Sequence, residues 1–256
     1  MHRFFIEPEV VAGLEAGYEL SLPDKLAHQV RDVLRLALGE QLILLDDSGD
    51  ELLAEIAESN KGGVKVRFIE RRRGKSESPV QIVLCQGLLK SARFEWILEK
   101  GTELGVSTFA PILCRRSMAG LEDAGSAKLQ RWQRIIAEAT EQCGRAKRPD
   151  LLPIRPMMHA LADLPAHALA LIPWEEEQDL TLRQVLTEAV AGRQPGNDEQ
   201  LMVYLFIGPE GGLMADEVRL AQRHGARSVT LGRRILRAET AALATVANLM
   251  YELEDR

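Results

Sequence analysis

LMVYLFIGPEGGLMADEV, residues 201–218, is the stretch from which the rest of the chain is read. Residues 201–207 are mostly apolar and have the length of a buried strand. Gly208-Pro209-Glu210-Gly211-Gly212 then breaks any regular element, and Met214 onward restarts as a helix. Strand, glycine loop and helix in that order put a small-molecule site at the carboxyl end of a sheet strand. The loop has no Lys-Ser/Thr pair and no GxGxxG spacing, so it fits neither a phosphate-cradling loop nor a dinucleotide fingerprint. Glu210, Asp216 and Glu217 crowd the helix start with negative charge, which would repel a phosphate there. The expected ligand is cationic or a neutral nucleoside, approached closely by bare backbone at Gly211 and Gly212.

Further along, the arrangement repeats. Residues 228–231 read as a short strand, Gly232 as a break, and Arg233-Arg234-Ile235-Leu236-Arg237 as a loop. Residues 238–253, AETAALATVANLMYEL, follow as a helix whose Ala241, Ala242, Ala244 and Ala247 permit close packing. Three arginines just before a helix N-terminus oppose its macrodipole, by roughly 0.3–1 kcal/mol each when exposed. An anion should therefore face them: Glu239, Glu210 or a nucleic-acid phosphate. The plainer alternative, ordinary solvated charge, is the weaker one because two glycine-broken loops follow two strands in succession.

IGPEGG followed by LGRRILRAETA resembles the paired cofactor loops of the SPOUT methyltransferases. KSARFEWILEKGTELGVSTFAPILCRRS (90–117), AEATEQCGRAKRP (137–149) and HQVRDVLRL (28–36) extend the similarity over most of the chain, to the ribosomal RNA small-subunit methyltransferase E family. The chain departs from that family in a single His28 where a pair is common, and in Ser117-Met118-Ala119 after the arginines. The resemblance implies an α/β protein, with a SPOUT-type trefoil-knot methyltransferase domain and an N-terminal β-rich PUA-like domain. Knots are nearly absent from proteins, so the knot rests on the resemblance alone. The implied activity is S-adenosylmethionine-dependent methylation of N3 of a uridine in 16S rRNA, on free rRNA or on the small ribosomal subunit. A homodimer is implied too, packed through the last helix by Ala241, Ala244, Ala247, Leu249 and Met250.

Matched by position, the family's three cofactor loops fall at Leu171-Ile172-Pro173, at Ile207, Gly208, Glu210, Gly211 and Gly212, and at Leu231, Gly232, Ile235, Leu236 and Thr240. Backbone around Leu231 and Leu236 would read the adenine edge. Glu210 would accept ribose hydroxyls or lie near the sulfonium; capping the next helix or pairing an arginine is its ordinary alternative. Uridine N3 carries a weakly acidic proton, so transfer needs a base or a cation that stabilises the uracil anion. Arg237 and Arg116 are the candidate stabilisers, and Glu239 or Glu210 the candidate bases. Arg3, Arg31, Arg35, Arg116 and Arg145 are the candidate RNA contacts.

Composition agrees. A chain of 256 residues, 46% hydrophobic, can bury a sizeable core. Its net charge of -6 argues against a general polyanion binder, but cations gather at residues 71–75, 115–116, 145–148 and 233–237. Acids sit elsewhere, as at Asp46-Asp47, 175–177 and Glu254-Asp255. Residues 71–75 are best read as a solvated face. Cys85, Cys114 and Cys143 show no paired spacing, so each is a small apolar residue and neither a disulfide nor a zinc site is expected. No metal is expected, since His2, His28, His159, His167 and His224 lack ligand spacing. No signal peptide or membrane span is read, and a cytoplasmic location is expected.

RRRGKSESP, 71–79, replaces apolar pattern with charge, Gly, Ser and Pro, dividing a PUA-like domain (1–73), a linker (74–79) and a methyltransferase domain (80–256). Residues 40–46 and 64–69 read as strands, with turns at Gly49 and Gly62-Gly63. Residues 28–36 read as a short helix, with Val30, Val33 and Leu34 inward and Arg31 and Arg35 on the other side. His28 reads as structural. Beyond the linker, strands at 80–86, 108–114 and 168–172 alternate with helices at 92–104, 127–144 and 181–191, and 192–200 is a polar loop. Two other functions are the alternatives. A non-catalytic RNA-binding ribosome-assembly factor would bind RNA without responding to the cofactor. A nucleotide-dependent oxidoreductase would need the missing glycine fingerprint.

Overall fold

The computed structural model describes residues 1–117, 120, 125–191 and 201–254. Met118, Ala119, Asp255 and the polar stretch 192–200 lie outside the described residues. The chain forms two compact units, Met1–Glu77 with Thr140–Arg148, and Ser78–Ala139 with Pro149–Arg256.

The first unit contains β1 (His2–Phe5), β2 (Glu19–Ser21), α1 (Asp24–His28), β3 (Gln41–Leu45), β4 (Asp50–Asn60) and β5 (Gly63–Arg73). Its sheet runs β1-β3-β4-β5-β2, with β1 parallel to β3 and the other neighbours antiparallel. Strict alternation in β5 turns Val64, Val66 and Phe68 into the core and leaves Lys65 and Arg67 outside. Arg71–Arg73, taken from sequence as the start of the composition break, continue that strand. Arg71 reaches Asp46 and Asp50, and Arg72 reaches Glu51, so the arginines stay in the ladder as paired charges.

The helix read over 28–36 is different in the structure. A π-helical turn occupies Gln29–Val33, the Leu34 amide donates back to the Gln29 carbonyl, and Arg35 takes φ 55°. A left-handed residue ends a helix, a position glycine usually fills. Arg31 and Arg35 therefore share no helix face, and Val33, expected inward, is 64% exposed. His28 meets Asp32 at 2.6 Å, in keeping with a structural role.

Nothing in the linear division anticipates that Thr140–Arg148 belongs with the first unit. Glu77 holds it there. Its carboxylate accepts the amides of Ala146 and Lys147 at 2.9 and 3.1 Å and the Arg145 Nη2 at 2.8 Å. Ala146 is buried with Ile43, Leu45 and Leu53. Arg145, a candidate RNA contact, is only 8% exposed and committed to this clasp. A buried, paired guanidinium is not free to meet a phosphate.

The second unit contains β6 (Val80–Gly87), α2 (Ser91–Glu103), β7 (Val106–Leu113), α3 (Ser126–Cys143, whose last turn belongs to the first unit), β8 (Asp150–Leu151), β9 (Arg155–Pro156), α4 (Met157–Ala162), β10 (Leu169–Pro173), α5 (Leu182–Ala191), β11 (Leu201–Ile207), α6 (Ala215–Arg223), β12 (Arg227–Val229) and α7 (Ala238–Leu253). Its sheet is parallel, in the order β12-β10-β11-β6-β7-β8, with β9 also on β7. Both faces are covered, which explains near-continuous apolar strands. Val203, Leu205 and Ile207 face one layer with Phe94, Trp132, Val185 and Val246 from α2, α3, α5 and α7. Phe206 faces the other with Met157, Ala160, Val218 and Ala221 from α4 and α6. Leu249 and Met250, assigned above to a subunit interface, lie in the first of these cores. Cys85 and Cys114 are buried, and burial pushes the Cys85 thiol up to about 12.

Candidate cofactor pocket

The strand order sets the pocket. The chain leaves β10, runs through β11 beside it, and returns past β10 to β12, so three strand ends open on one side of the sheet. Over them lies a cavity of about 390 Å³. Pro173, Trp174 and Glu175 come from the end of β10, Ile207 through Leu213 from the end of β11, and Thr230 through Glu239 from the end of β12, with Arg93 from α2.

Each wall has a local cause. After Ile207 the loop folds back by a hydrogen bond from the Gly212 amide to the Pro209 carbonyl at 2.9 Å. Gly212 sits at φ 72°, in the left-handed region, and a Cβ there would stand 2.7 Å from the Glu175 Oε1. Beneath the loop, a Cβ on Gly87 would stand 2.6 Å from the Pro209 nitrogen, so β6 and the loop touch backbone to backbone. Buried Gln86 bridges them, its Nε2 donating to the carbonyls of Gly87 at 2.9 Å and Gly208 at 3.4 Å. Arg116 Nη1 donates to the Gly211 carbonyl at 2.9 Å.

Glu217, read from sequence as repelling charge, is turned inward. Its two oxygens accept the amides of Met214 and Arg115, each at 2.8 Å, so it fixes the start of α6. The β10 wall is tied to β12 by Glu177, which accepts the Ser228 hydroxyl and the amides of Asp179 and Leu180. These bonds, the Ser228 hydroxyl foremost, hold the Glu177 carboxyl below its ordinary range.

Most of the expected cofactor residues meet here: Pro173, Ile207, Gly208, Glu210, Gly211, Gly212, Leu231, Gly232, Ile235 and Leu236 line the cavity. Leu171 and Ile172 do not. Both are fully buried, in the two opposite core layers, as alternation within a doubly covered strand requires. Thr240 is exposed and outside the lining. Of the candidate catalytic groups, Arg237 and Glu239 line the cavity. Arg116 does not, and braces the glycine loop from behind.

The glutamates expected to face the loop arginines turn elsewhere. Glu210 and Glu239 both turn to Arg93, at 2.9 Å from Nη1 and 3.7 Å from Nε respectively. The side chains of Arg233, Arg234 and Arg237 have no partner among the described residues. Sequence reasoning assigned Arg93 no role, although it lies in a block quoted for the resemblance; its partners are distant in sequence. In the first unit, Arg3 pairs with Glu51 at 3.1 Å and Arg31 with Asp32 at 2.6 Å, while Arg35 is exposed. Among the described residues there is no cluster of metal-ligating side chains.

The cavity fits S-adenosylmethionine. It offers bare backbone at four glycines, apolar walls from Ile207, Leu231 and Leu236, and carboxylates as well as cations at its edge. Comparison with known proteins agrees. Residues 76–250 match the RNA methyltransferase domain family, and residues 22–69 match the RNA methyltransferase PUA domain. The ribosomal RNA small subunit methyltransferase E of Bacillus subtilis is 31% identical over 99% of this chain and 98% of its own length. The Neisseria gonorrhoeae protein of that name, solved bound to S-adenosyl methionine, is 30% identical, with a TM-score of 0.82 over 98% of this chain and 97% of that one. A putative methyltransferase from Legionella pneumophila, solved in complex with the bound cofactor SAM, is 29% identical, with a TM-score of 0.75 over 97% of this chain and 96% of that one. The chain belongs to the ribosomal RNA small subunit methyltransferase E family, an RNA methyltransferase domain preceded by a PUA domain.

Proposed function

We propose that the protein methylates N3 of a uridine in 16S rRNA of the small ribosomal subunit, with S-adenosylmethionine as donor. The observation that carries this reading is the convergence of three strand-end loops on one cavity, lined by three arginines without partners among the described residues. S-adenosylmethionine supplies an electrophilic methyl group, and the protein's work is to place it in line with the base nitrogen and make that nitrogen a nucleophile. Alignment of this kind can supply roughly 7–11 kcal/mol of a barrier. The glycine loop and the Leu231–Leu236 wall hold the adenosyl part by backbone contact and apolar cover. Arg237, lining the cavity and without a partner among the described residues, stabilises the negative charge that uracil acquires as its N3 proton leaves. Glu210 and Glu239, the two candidate bases, are both engaged by Arg93, which favours charge stabilisation by Arg237 over a strong carboxylate base. Arg35 and the partly exposed Arg31 belong to a separate task, holding phosphate. The trefoil knot implied by the resemblance and a cytoplasmic setting go with the same reading; no described helix is long and apolar enough to cross a membrane.

The test is to incubate the purified protein with S-adenosylmethionine and small subunits from cells that lack it, then map the product. A methyl on N3 blocks base pairing, so reverse transcription should stop at one uridine of 16S rRNA. A product that leaves pairing intact, or a label on the large-subunit rRNA, would overturn the reading. RNA binding with no transfer would favour the assembly-factor alternative, which gives no account of the cofactor-shaped cavity.

The reading includes a homodimer through α7. With Leu249 and Met250 committed to the core and Ala241 packed against it at the cavity, the face left for a partner is Ala244, Asn248 and Tyr251, spaced along one side of the helix. Tyr251 is 77% exposed, and Trp96 on the neighbouring α2 is also exposed. Sedimentation at low micromolar concentration is expected to give twice the 28.5 kDa monomer mass. Tyr251→Glu is expected to give the monomer; a native protein that sediments as the monomer would remove the dimer.

A further inference from the structure

We propose that Arg93 is a positioning residue of the cofactor pocket: one guanidinium spans Glu210 and Glu239 and holds the glycine loop after β11 against the start of α7. The inference rests on this cavity being the S-adenosylmethionine site. Arg93 lies in the first turn of α2, where the helix dipole disfavours a cation, so its placement needs compensating anions. It has two, on two different elements: Glu210 at 2.9 Å in the loop, and Glu239 at 3.7 Å in the first turn of α7. For each carboxylate, Arg93 is the one ion-pair partner among the described residues. Glu239 is 8% exposed, and its Oε2 is buried without a hydrogen-bond partner among the described residues. A carboxylate so placed is costly without a cation. The cavity lining thereby carries charge of both signs: Glu210 and Glu239 share one guanidinium, while Arg233, Arg234 and Arg237 have no partner among the described residues. A cationic donor and an anionic acceptor can be held together on such a surface, provided the two carboxylates are kept in place and partly neutralised. Both jobs fall to Arg93.

The experiment compares native protein, Arg93→Ala, Arg93→Lys and Glu210→Gln as full chains. Hydrogen exchange of residues 208–213 is measured without ligand, then affinity for S-adenosylmethionine by calorimetry, then transfer to small subunits. Arg93 is nearly half exposed at its side chain, so the variants should fold, which unliganded melting checks. Arg93→Ala should speed loop exchange and weaken cofactor binding by about tenfold, the loss of a charge-assisted bridge. Its turnover at saturating cofactor should stay within about a factor of two, as for binding made equally in ground and transition states. Arg93→Lys should recover most of the affinity, since an ammonium still reaches Glu210, and Glu210→Gln should loosen the loop with Arg93 intact. Unchanged exchange in Arg93→Ala overturns the proposal. So does lost turnover with unchanged cofactor affinity, which would put Arg93 on the substrate. If the native protein fails to bind S-adenosylmethionine, the proposed function falls, while the exchange comparison still decides whether Arg93 holds the loop.

Discussion

Gly212→Val is expected to abolish the stabilisation that S-adenosylmethionine confers on the native protein. At a hundredfold excess over its dissociation constant a ligand contributes about 2.7 kcal/mol, a shift readily seen in a melting curve. Gly212 holds φ 72°, a conformation that a β-branched residue adopts only as an outlier. The first side-chain carbon would also press to 2.7 Å from the Glu175 carboxylate, which belongs to another wall of the same cavity. That exposed carboxylate can swing aside, but the φ cannot be relieved in this way, so the loop must open, and the backbone groups that should meet the adenosyl moiety move with it. Gly211→Val is the informative control. Gly211 has no left-handed φ, and its added carbon would meet the Arg116 Cβ at 3.0 Å and the Arg116 carbonyl oxygen at 3.3 Å, contacts that a backbone adjustment of a few tenths of an ångström relieves. The graded outcome is a lost shift for Gly212→Val and a reduced one for Gly211→Val. Equal shifts in the native protein and Gly212→Val would remove this loop from the site.

That Gly212 rather than Gly211 carries the strained angle could not be read from two adjacent glycines; it follows from how the Gly212 amide closes onto Pro209. What was legible had strong local causes. The run from Leu201 to Ile207 ends where Gly-Pro forbids a longer strand, and α7 begins and ends where an alanine-rich pattern does. Two-residue strands such as β8 and β9 are too short to show any period. Leu171 and Ile172 were placed in the site by their position alone. Strand alternation sends one to each core layer and leaves only Pro173 at the cavity. The remaining surprises are long-range charge choices. Glu77 fastens the Arg145 segment to the first unit, Arg93 takes Glu210 and Glu239, and Glu217 turns from solvent to cap α6. An acidic or basic residue in a sequence announces a charge but not its partner, because the partner is set by tertiary contact.

Arg237→Ala is expected to lower turnover by about 10²–10³ while leaving RNA affinity nearly unchanged, the pattern of an interaction made where charge develops in the transition state. Arg237 immediately precedes α7, lines the cavity, is exposed, and spends its guanidinium on no described neighbour. An arginine committed to folding would be paired, as Arg145 is. Arg35→Ala should behave oppositely. Arg35 is exposed in the first unit, and if it meets a phosphate its loss should weaken RNA binding and reduce the salt slope by about one, with saturated turnover intact. The pH profile adds a second readout. A cation near the uracil oxygens favours the deprotonated base, so native turnover should reach its plateau at lower pH than that of Arg237→Ala. Removing the cation raises the proton affinity of N3, and the rising limb of the profile should move toward alkaline pH. Arg237→Lys, which keeps a charge but not the planar fork, should fall between the two. Should Arg237→Ala lose RNA affinity while saturated turnover and its pH profile stay native, Arg237 is a phosphate contact, and the stabiliser of the uracil anion must be sought at Arg233 or Arg234, the other unpaired cations of the same loop.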